Sequence, residues 1–224
     1  DFRHTLDVNC GILADLIQTL NFNSTDTRLL YLSTMQVYKD QSFESNITEP
    51  NNIYGYTHLM CEQLLKLYSN ATILRLSNVY GPPRTKRANI EWTLIADICK
   101  SIAKNNVMEI RNDGTAVRNF LFSEDFQDLL VNSILNNFNG FLTFDVIGKV
   151  TSSVGNIKRI LETISYENSK IISIKVPENY KLSSEEQLIN PLSNLKKNSQ
   201  KKYLVGNTEL FEGLKKTLKY YMEV

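Results

Sequence analysis

Apolar and polar positions follow two different spacings along the chain, one typical of buried strands and the other of helices. Continuous or nearly continuous apolar runs predict strands at 28–34, 71–76, 107–111, 141–147 and 171–176. Apolar residues that recur at helical spacing predict helices at 7–20, 54–69, 90–104, 124–137, 152–165 and 208–223. Strands that alternate with helices favour an α/β fold with a parallel sheet covered on both faces.

The first two predicted helices are amphipathic. In 7–20, we expect Val8, Ile12, Leu16 and Ile17 to share one face, together with Leu13 and Leu20. In 54–69, the sequence predicts a buried side that includes Leu64, Leu65 and Tyr68.

Length and composition narrow the class of protein. The 224 residues, 42% hydrophobic and 22% charged, suffice for one large domain or two small ones with a sizeable core. A net charge of +1 does not favour nucleic acid or an anionic membrane surface as a partner. No apolar run has the length of a membrane span, and the amino terminus lacks the apolar core of a signal peptide. We therefore expect a cytoplasmic protein.

The three cysteines lie far apart in the sequence. Cys10, Cys61 and Cys99 form no CxxC pair, so the sequence predicts neither a metal site nor a redox motif. Free thiols of this kind are typical of proteins in a reducing compartment.

Polar residues suited to proton transfer follow the apolar strands. Thr34 ends the run 28–34, Tyr54 begins the second helix, and His58 lies one helical turn beyond Tyr54 on the same face. Asn78 follows the strand 71–76. Because ligands bind beyond the carboxyl ends of parallel strands, we expect these side chains near one crevice. A hydroxyl, a phenol and a base indicate proton transfer at a sugar or alcohol carbon.

Five segments carry a resemblance to a known family. They are Leu32 to Tyr38, Pro50 to Glu62, Arg75 to Pro82, Gly114 to Phe120 with Glu124-Asp125, and Leu210 to Leu214. In this order they resemble the extended short-chain dehydrogenase/reductase family, the NAD-dependent epimerases and dehydratases of nucleotide sugars. The resemblance implies a partial doubly wound, Rossmann-like sheet with a smaller α/β substrate domain. The implied cofactor-binding part is 1–83 with 116–147, and the implied substrate part is 84–115 with 148–224.

The resemblance also implies a role for each candidate residue. Thr34 looks like the hydroxyl that bonds the reacting sugar oxygen, and Tyr54 looks like the general acid/base, which also touches the cofactor. Asn78 and Arg118 look like residues that contact a nucleotide-sugar substrate. Arg118 looks like the arginine that binds the diphosphate through its planar guanidinium group. The implied cofactor is NAD or NADP. Relatives often form homodimers through a helix bundle, which here would include 7–20 and 54–69.

One departure from the family is His58, which stands where relatives have a lysine. A lysine cation at ~6 Å and an effective dielectric of ~20 would stabilise a phenolate by roughly 3 kcal/mol. Histidine, with a reference pKa near ~6.5, is expected to stay mostly neutral beside a cationic cofactor. We expect His58 to bond the cofactor ribose, with Tyr54 carrying the proton more slowly or at higher pH.

A second departure is the missing phosphate loop. The nine glycines cannot be arranged as G-x-G-x-x-G or G-x-x-G-x-x-G, and the chain does not begin with Met. The family carries this loop in its first βα unit. We therefore expect an amino-terminally truncated chain that alone binds NAD weakly or not at all.

The resemblance leaves more than one function open. The primary prediction is a nucleotide-sugar epimerase or a keto-sugar reductase. Dehydratases of the family have two acids after the strand-end threonine, whereas Met35 and Gln36 stand here and neither is an acid. A catalytically inactive sugar-nucleotide-binding relative is the alternative, and both departures favour it. An unrelated doubly wound domain is a third possibility.

Overall fold

The computed structural model describes residues 2–23, 26–39, 47–84, 93–136, 138–181 and 202–223. Within these ranges the strands are β1 (Leu29–Thr34), β2 (Ala71–Leu76), β3 (Asn78–Tyr80), β4 (Val107–Glu109), β5 (Val117–Phe122), β6 (Leu142–Ile147), β7 (Val150–Ser153), β8 (Ser173–Lys175) and β9 (Lys202–Val205). The helices are α1 (Phe2–Leu6), α2 (Ile12–Phe22), α3 (Ile53–Leu65), α4 (Leu94–Asn105), α5 (Ser123–Leu135), α6 (Val154–Glu167) and α7 (Leu210–Glu223). A π-helical segment, Asp7–Gly11, joins α1 to α2, and a 3₁₀ turn, Met35–Val37, follows β1.

The chain divides into two compact units, each built from separate stretches of sequence. The first contains 1–77, 129–147 and 194–204, and the second contains 78–128, 148–193 and 205–224. The division of the chain into a cofactor part and a substrate part stays a prediction. No helix in the described ranges is both long enough and apolar enough to cross a membrane.

The first unit is built on a four-stranded sheet in the order β1-β2-β6-β9. β1 pairs with β2 in parallel, and β2 pairs with β6 in parallel. The expected parallel sheet is therefore confirmed, and with it the α/β class. Arg28, just before β1, donates to the carbonyls of Ser133, Ile134 and Asn136, which closes the carboxyl end of α5.

The core of the first unit shows where the amphipathic prediction was wrong. Leu13 and Ile17 are buried beside residues of α3, β2 and the loop between them, including Leu65 and Ala71. Ile12 and Leu16 are instead 63% and 42% exposed. All four residues lie on the regular helix α2, where a rotation of about 100° per residue spreads them over an arc of about 140°. Only the edge of this arc that carries Leu13 and Ile17 packs against the core, and the edge that carries Ile12 and Leu16 is exposed.

The second unit has two small sheets and its own apolar core. One sheet has the order β3-β5-β7, with β3 and β5 parallel and β5 and β7 antiparallel, and the other pairs β4 with β8. Helices α4, α6 and α7 contribute apolar residues to this core, such as Ile102, Leu161 and Leu214. Strands β5 and β7 were not expected. Arg118 lies on β5.

Gly55 gives a test of how closely α3 approaches the turn after β1. A Cβ atom on Gly55 would lie 2.3 Å from the carbonyl oxygen of Gln36, whereas one on Gly11 would meet nothing within 4 Å. We expect Gly55→Ala to destabilise the protein by about 1–3 kcal/mol, because the added methyl group would force the backbone at Gly55 and Gln36 apart. Gly11→Ala should stabilise it by up to about 1 kcal/mol through helix propensity. Urea unfolding checks both, and equal midpoints would contradict the close approach.

Candidate active site

Thr34 holds its hydroxyl at the carboxyl end of β1. The residue is buried, and its Oγ1 accepts a hydrogen bond of 3.2 Å from the backbone N–H of Gln36, which caps the 3₁₀ turn. A hydroxyl that accepts one N–H retains its own hydrogen for a second bond. Thr34 can therefore still donate to an oxygen beyond the strand end.

The first turn of α3, which carries Tyr54, is bonded to the turn that follows Thr34. Asn52 caps the helix by accepting from the N–H of Gly55 at 2.9 Å, and its own amide donates to Gln36 Oε1 at 3.0 Å. The lack of a side chain on Gly55 lets the helix backbone approach the Gln36 carbonyl. Two segments distant in the sequence are thus held together at the residues next to Thr34 and Tyr54.

Tyr54 and His58 form an aromatic pair one turn apart on α3. Their ring centroids are 4.5 Å apart and the rings meet edge to face, at 66°. Burial raises the pKa of Tyr54. Burial also lowers the pKa of His58, although the negative charge of Glu62 partly opposes this. At neutral pH both side chains are therefore neutral, so His58 supplies no positive charge to favour a phenolate.

Tyr31 is a neighbour of His58 that the sequence analysis missed. Its hydroxyl lies 2.9 Å from His58 Nδ1. Two residues further along β1, Ser33 donates to Glu62 Oε1 at 2.6 Å. Alternate residues of a strand share one face, as do helix residues four apart, so Tyr31 and Ser33 meet His58 and Glu62. The sequence could therefore have predicted that Tyr31 and Ser33 share a face of β1. It does not specify which helix covers that face.

A buried row of polar residues crosses the sheet of the first unit. Arg75 on β2 pairs in register with Ser33 on β1 and with Asp145 on β6. Its guanidinium donates to both oxygens of Glu62, from Nε at 3.0 Å and from Nη2 at 2.6 Å. This is a bidentate salt bridge between a planar guanidinium group and a carboxylate.

The row continues from Arg75 to Asp145 through Tyr38. Arg75 Nη1 donates to the Tyr38 hydroxyl at 2.6 Å, and that hydroxyl donates to Asp145 at 2.8 Å. Burial and the Asp145 carboxylate raise the pKa of Tyr38. Burial lowers the pKa of Arg75, but Glu62 and Tyr38 raise it overall. The Arg75 guanidinium therefore remains ionised and bonded to both Glu62 and Tyr38.

Asn78 and Arg118 lie in the second unit. Asn78 was expected at the end of the strand 71–76, but β2 ends at Leu76 and Asn78 begins β3. Its side-chain amide donates to the carbonyl of Asn119 at 3.1 Å, across the pairing with β5. The partly buried Arg118 donates from Nη1 to the carbonyl of Val117 at 2.8 Å. The two candidates are thus linked through adjacent residues of β5, and their roles toward a ligand stay predictions.

A curated relative shares part of this sequence. A dTDP-L-rhamnose 4-epimerase from Burkholderia thailandensis is 29% identical over 117 residues, which cover 50% of this chain and 32% of that protein. The matched segment therefore represents about a third of the relative's length.

Solved structures share the fold at low sequence identity. UDP-glucuronic acid 4-epimerase from Bacillus cereus, in complex with UDP-glucuronic acid and NAD, has a TM-score of 0.71 and 21% identity. That match covers 96% of this chain and 67% of the other. RMD from Pseudomonas aeruginosa, complexed with NADPH, has a TM-score of 0.71 and 18% identity, covering 99% of this chain and 76% of the other.

The family model extends over all the segments that carry the candidate residues. The model of the NAD-dependent epimerase/dehydratase family matches residues 2–141, which include Thr34, Tyr54, His58, Asn78 and Arg118. The chain therefore belongs to the NAD-dependent epimerase/dehydratase family.

Proposed function

We propose that this chain carries the acid/base residues of an NAD- or NADP-dependent nucleotide-sugar epimerase or keto-sugar reductase, acting by oxidoreduction at a sugar carbon. The observation that carries the proposal is the bonded contact between the start of α3 and the turn after Thr34. It brings a strand-end hydroxyl and a helix-start phenol into one part of the first unit. Family membership and relatives that act on nucleotide sugars support the same reaction class.

Each residue then has a distinct role toward the sugar. Thr34 donates its hydroxyl hydrogen to the reacting sugar oxygen and so fixes its position. Tyr54 takes the hydroxyl proton during oxidation and returns it during reduction. Neutral His58 orients Tyr54 by ring contact and offers its free ring nitrogen to a ribose hydroxyl. A bound nicotinamide would supply the hydride acceptor.

The residues of this chain fit one end of such a cofactor. Tyr54 and His58 offer hydrogen-bonding groups suited to the ribose beside the nicotinamide. The sequence has no glycine-rich phosphate loop, so the diphosphate end has no matching residues here. For the substrate, we assign Arg118 to the diphosphate and Asn78 to the nucleotide sugar, consistent with their linked positions on β5 and β3.

Two features of the site favour an alternative, a sugar-nucleotide-binding protein without catalysis. Histidine replaces the lysine of relatives, and burial lowers the pKa of His58 while it raises the pKa of Tyr54. Both changes reduce the population of the phenolate that abstracts a proton. Chromatography of the products formed from a panel of nucleotide sugars in the presence of cofactor, together with calorimetry of their binding, separates the two functions, because an epimerase leaves no net change in the cofactor. Binding with product formation supports the enzyme, whereas binding without product formation supports the alternative.

Replacing His58 tests the acid/base assignment directly. In His58→Lys, the ammonium group would stabilise the phenolate and thereby lower the pKa of Tyr54. We expect kcat/KM near neutral pH to rise about tenfold and the pH profile to move to lower pH. Gln63→Lys, which adds the same charge at an exposed position of α3, is the control. An unchanged pH profile in His58→Lys would show that His58 does not belong to the acid/base site.

We also propose a homodimer and a cytoplasmic location. Ile12 and Leu16 on α2, Met60 on α3 and Leu67 just after α3 are exposed apolar residues, of the kind that a helix bundle between two copies would cover. Sedimentation velocity measures the association. Cys10, Cys61 and Cys99 are free thiols, as expected in a reducing compartment.

A further inference from the structure

Two cysteines distant in the sequence have their sulfur atoms in contact. Cys10, in the π-helical segment, and Cys61, on α3, are 51 residues apart, and their sulfurs are 3.5 Å apart. Cys61 is fully buried, whereas Cys10 retains some exposure to solvent. A reagent in solution therefore reaches Cys10 first.

The segment around Cys10 is bonded to α3 at several points. Asn9 Nδ2 donates to Thr57 Oγ1 at 3.1 Å, and the Cys61 thiol donates to the Asn9 carbonyl at 3.4 Å. The Cys10 thiol lies 3.5 Å from the Thr57 carbonyl. These contacts hold the two thiols next to each other in the reduced protein. The π-helical turn here is of a type that often occurs at functional sites.

A series of contacts connects the two cysteines to the candidate acid/base pair. Cys61 lies one turn beyond His58 on α3, and Tyr31 packs against the apolar cluster that contains Cys61. Burial, together with the neighbouring Cys61 thiol, raises the pKa of the Tyr31 hydroxyl. The same hydroxyl lies 2.9 Å from His58 Nδ1, and the His58 ring packs against Tyr54. A chemical change at Cys61 therefore alters the packing around the residue that contacts His58.

We propose that Cys10 and Cys61 form a reversible intramolecular disulfide when a small-molecule disulfide such as oxidised glutathione is present, and that the bridge changes the environment of His58. The bond requires the sulfurs to approach from 3.5 Å to about 2.05 Å, a movement that the side chains and the π-helical turn can share. No turnover enters this inference, so it does not depend on the proposed function.

The reaction is a pair of thiol–disulfide exchanges. The Cys10 thiol loses its proton, and the thiolate attacks one sulfur of the small disulfide and releases one small thiol. The Cys61 thiol then loses its proton and attacks the Cys10 sulfur of the mixed disulfide, which releases the second small thiol. Two protein thiols are oxidised, and one small disulfide is reduced to two thiols.

The reaction is expected to be slow at neutral pH. Burial and the neighbouring Cys61 thiol raise the pKa of Cys10 to about 12, so little of the attacking thiolate is present. Mildly alkaline solution at about pH 9 increases the thiolate and is the condition of choice.

Peptide mapping of the full chain tests for the bridge. The protein is incubated with oxidised glutathione at about pH 9, acidified, alkylated after unfolding and digested. We expect a peptide pair joined through Cys10 and Cys61, alkylated Cys99, and reversal by dithiothreitol. The melting temperature should rise by about 5 °C or more, because the bridge restricts the unfolded chain. Glutathione left on Cys10 as a stable mixed disulfide, no bridge at all, or a bridge to Cys99 would each overturn the proposal.

Two variants and one spectroscopic measurement complete the test. Cys99→Ser should form the bridge unchanged, and Cys10→Ser should show no bridge and no rise in melting temperature. The His58 imidazole is followed by NMR titration in the oxidised and reduced protein. A shifted titration midpoint supports the coupling to His58, whereas identical midpoints in a bridged protein would overturn that part of the proposal.

Discussion

Tyr54→Phe is expected to lower kcat of the proposed oxidoreduction by about 10²–10⁴-fold while KM for the nucleotide sugar changes little. The substitution removes only the phenolic oxygen, which is the proton carrier, and general acid/base catalysis contributes a factor of this size. The phenyl ring still packs against His58, so the local fold should be retained. Steady-state kinetics at several pH values measure the effect.

Tyr56→Phe is the matched control for this experiment. Tyr56 lies on the same helix and is 51% exposed, close to the 48% of Tyr54. It should retain the wild-type kcat. If Tyr54→Phe and Tyr56→Phe have the same turnover as the wild-type protein, Tyr54 is not the proton carrier.

Arg75→Met is expected to destabilise the protein by about 3–5 kcal/mol. Methionine has a similar length but no charge, so the Glu62 carboxylate would be left buried with the Ser33 hydroxyl as its one remaining side-chain partner among the described residues. Removing one member of a buried ion pair typically costs this much. Urea unfolding gives the change in the free energy of unfolding.

An exposed arginine provides the control for Arg75. Arg111 pairs with Glu109 and Asp97, but its side chain is 71% exposed, so Arg111→Met should cost less than about 1 kcal/mol. The double variant Arg75→Met/Glu62→Met should recover much of the lost stability, because the Glu62 carboxylate is no longer left buried without its guanidinium. A cost for Arg75→Met as small as that for Arg111→Met would show that the buried pair contributes little.

Strands with continuous apolar sequences were predictable because a strand that is buried on both faces requires apolar residues at successive positions. The run 71–76 matches β2, and the run 28–34 differs from β1 only at its first residue. Strand β5 was missed because Val117-Arg118-Asn119 is mainly polar. Its pairing with β3 and β7 depends on partners from other parts of the chain.

The candidate site was predictable where it depends on local spacing. The interval of four residues between Tyr54 and His58 fixes their contact once the helix forms. The contacts of Tyr31 with His58 and of Cys10 with Cys61 were not predictable, because they depend on which helix covers which strand. The separation of Asn78 from β2 was missed because only Ser77 lies between the two strands.

The discontinuity of the first unit has a consequence during synthesis on the ribosome. Tyr38 and Arg75 are translated well before Asp145. The whole first stretch of the second unit, 78–128, is translated after Arg75 and before Asp145. Until β6 is released from the exit tunnel, the edge of β2 that will pair with β6 has no partner. Unpaired strand edges promote aggregation. Chaperones that bind nascent chains should therefore associate with this protein from the release of β2 until β6 has emerged.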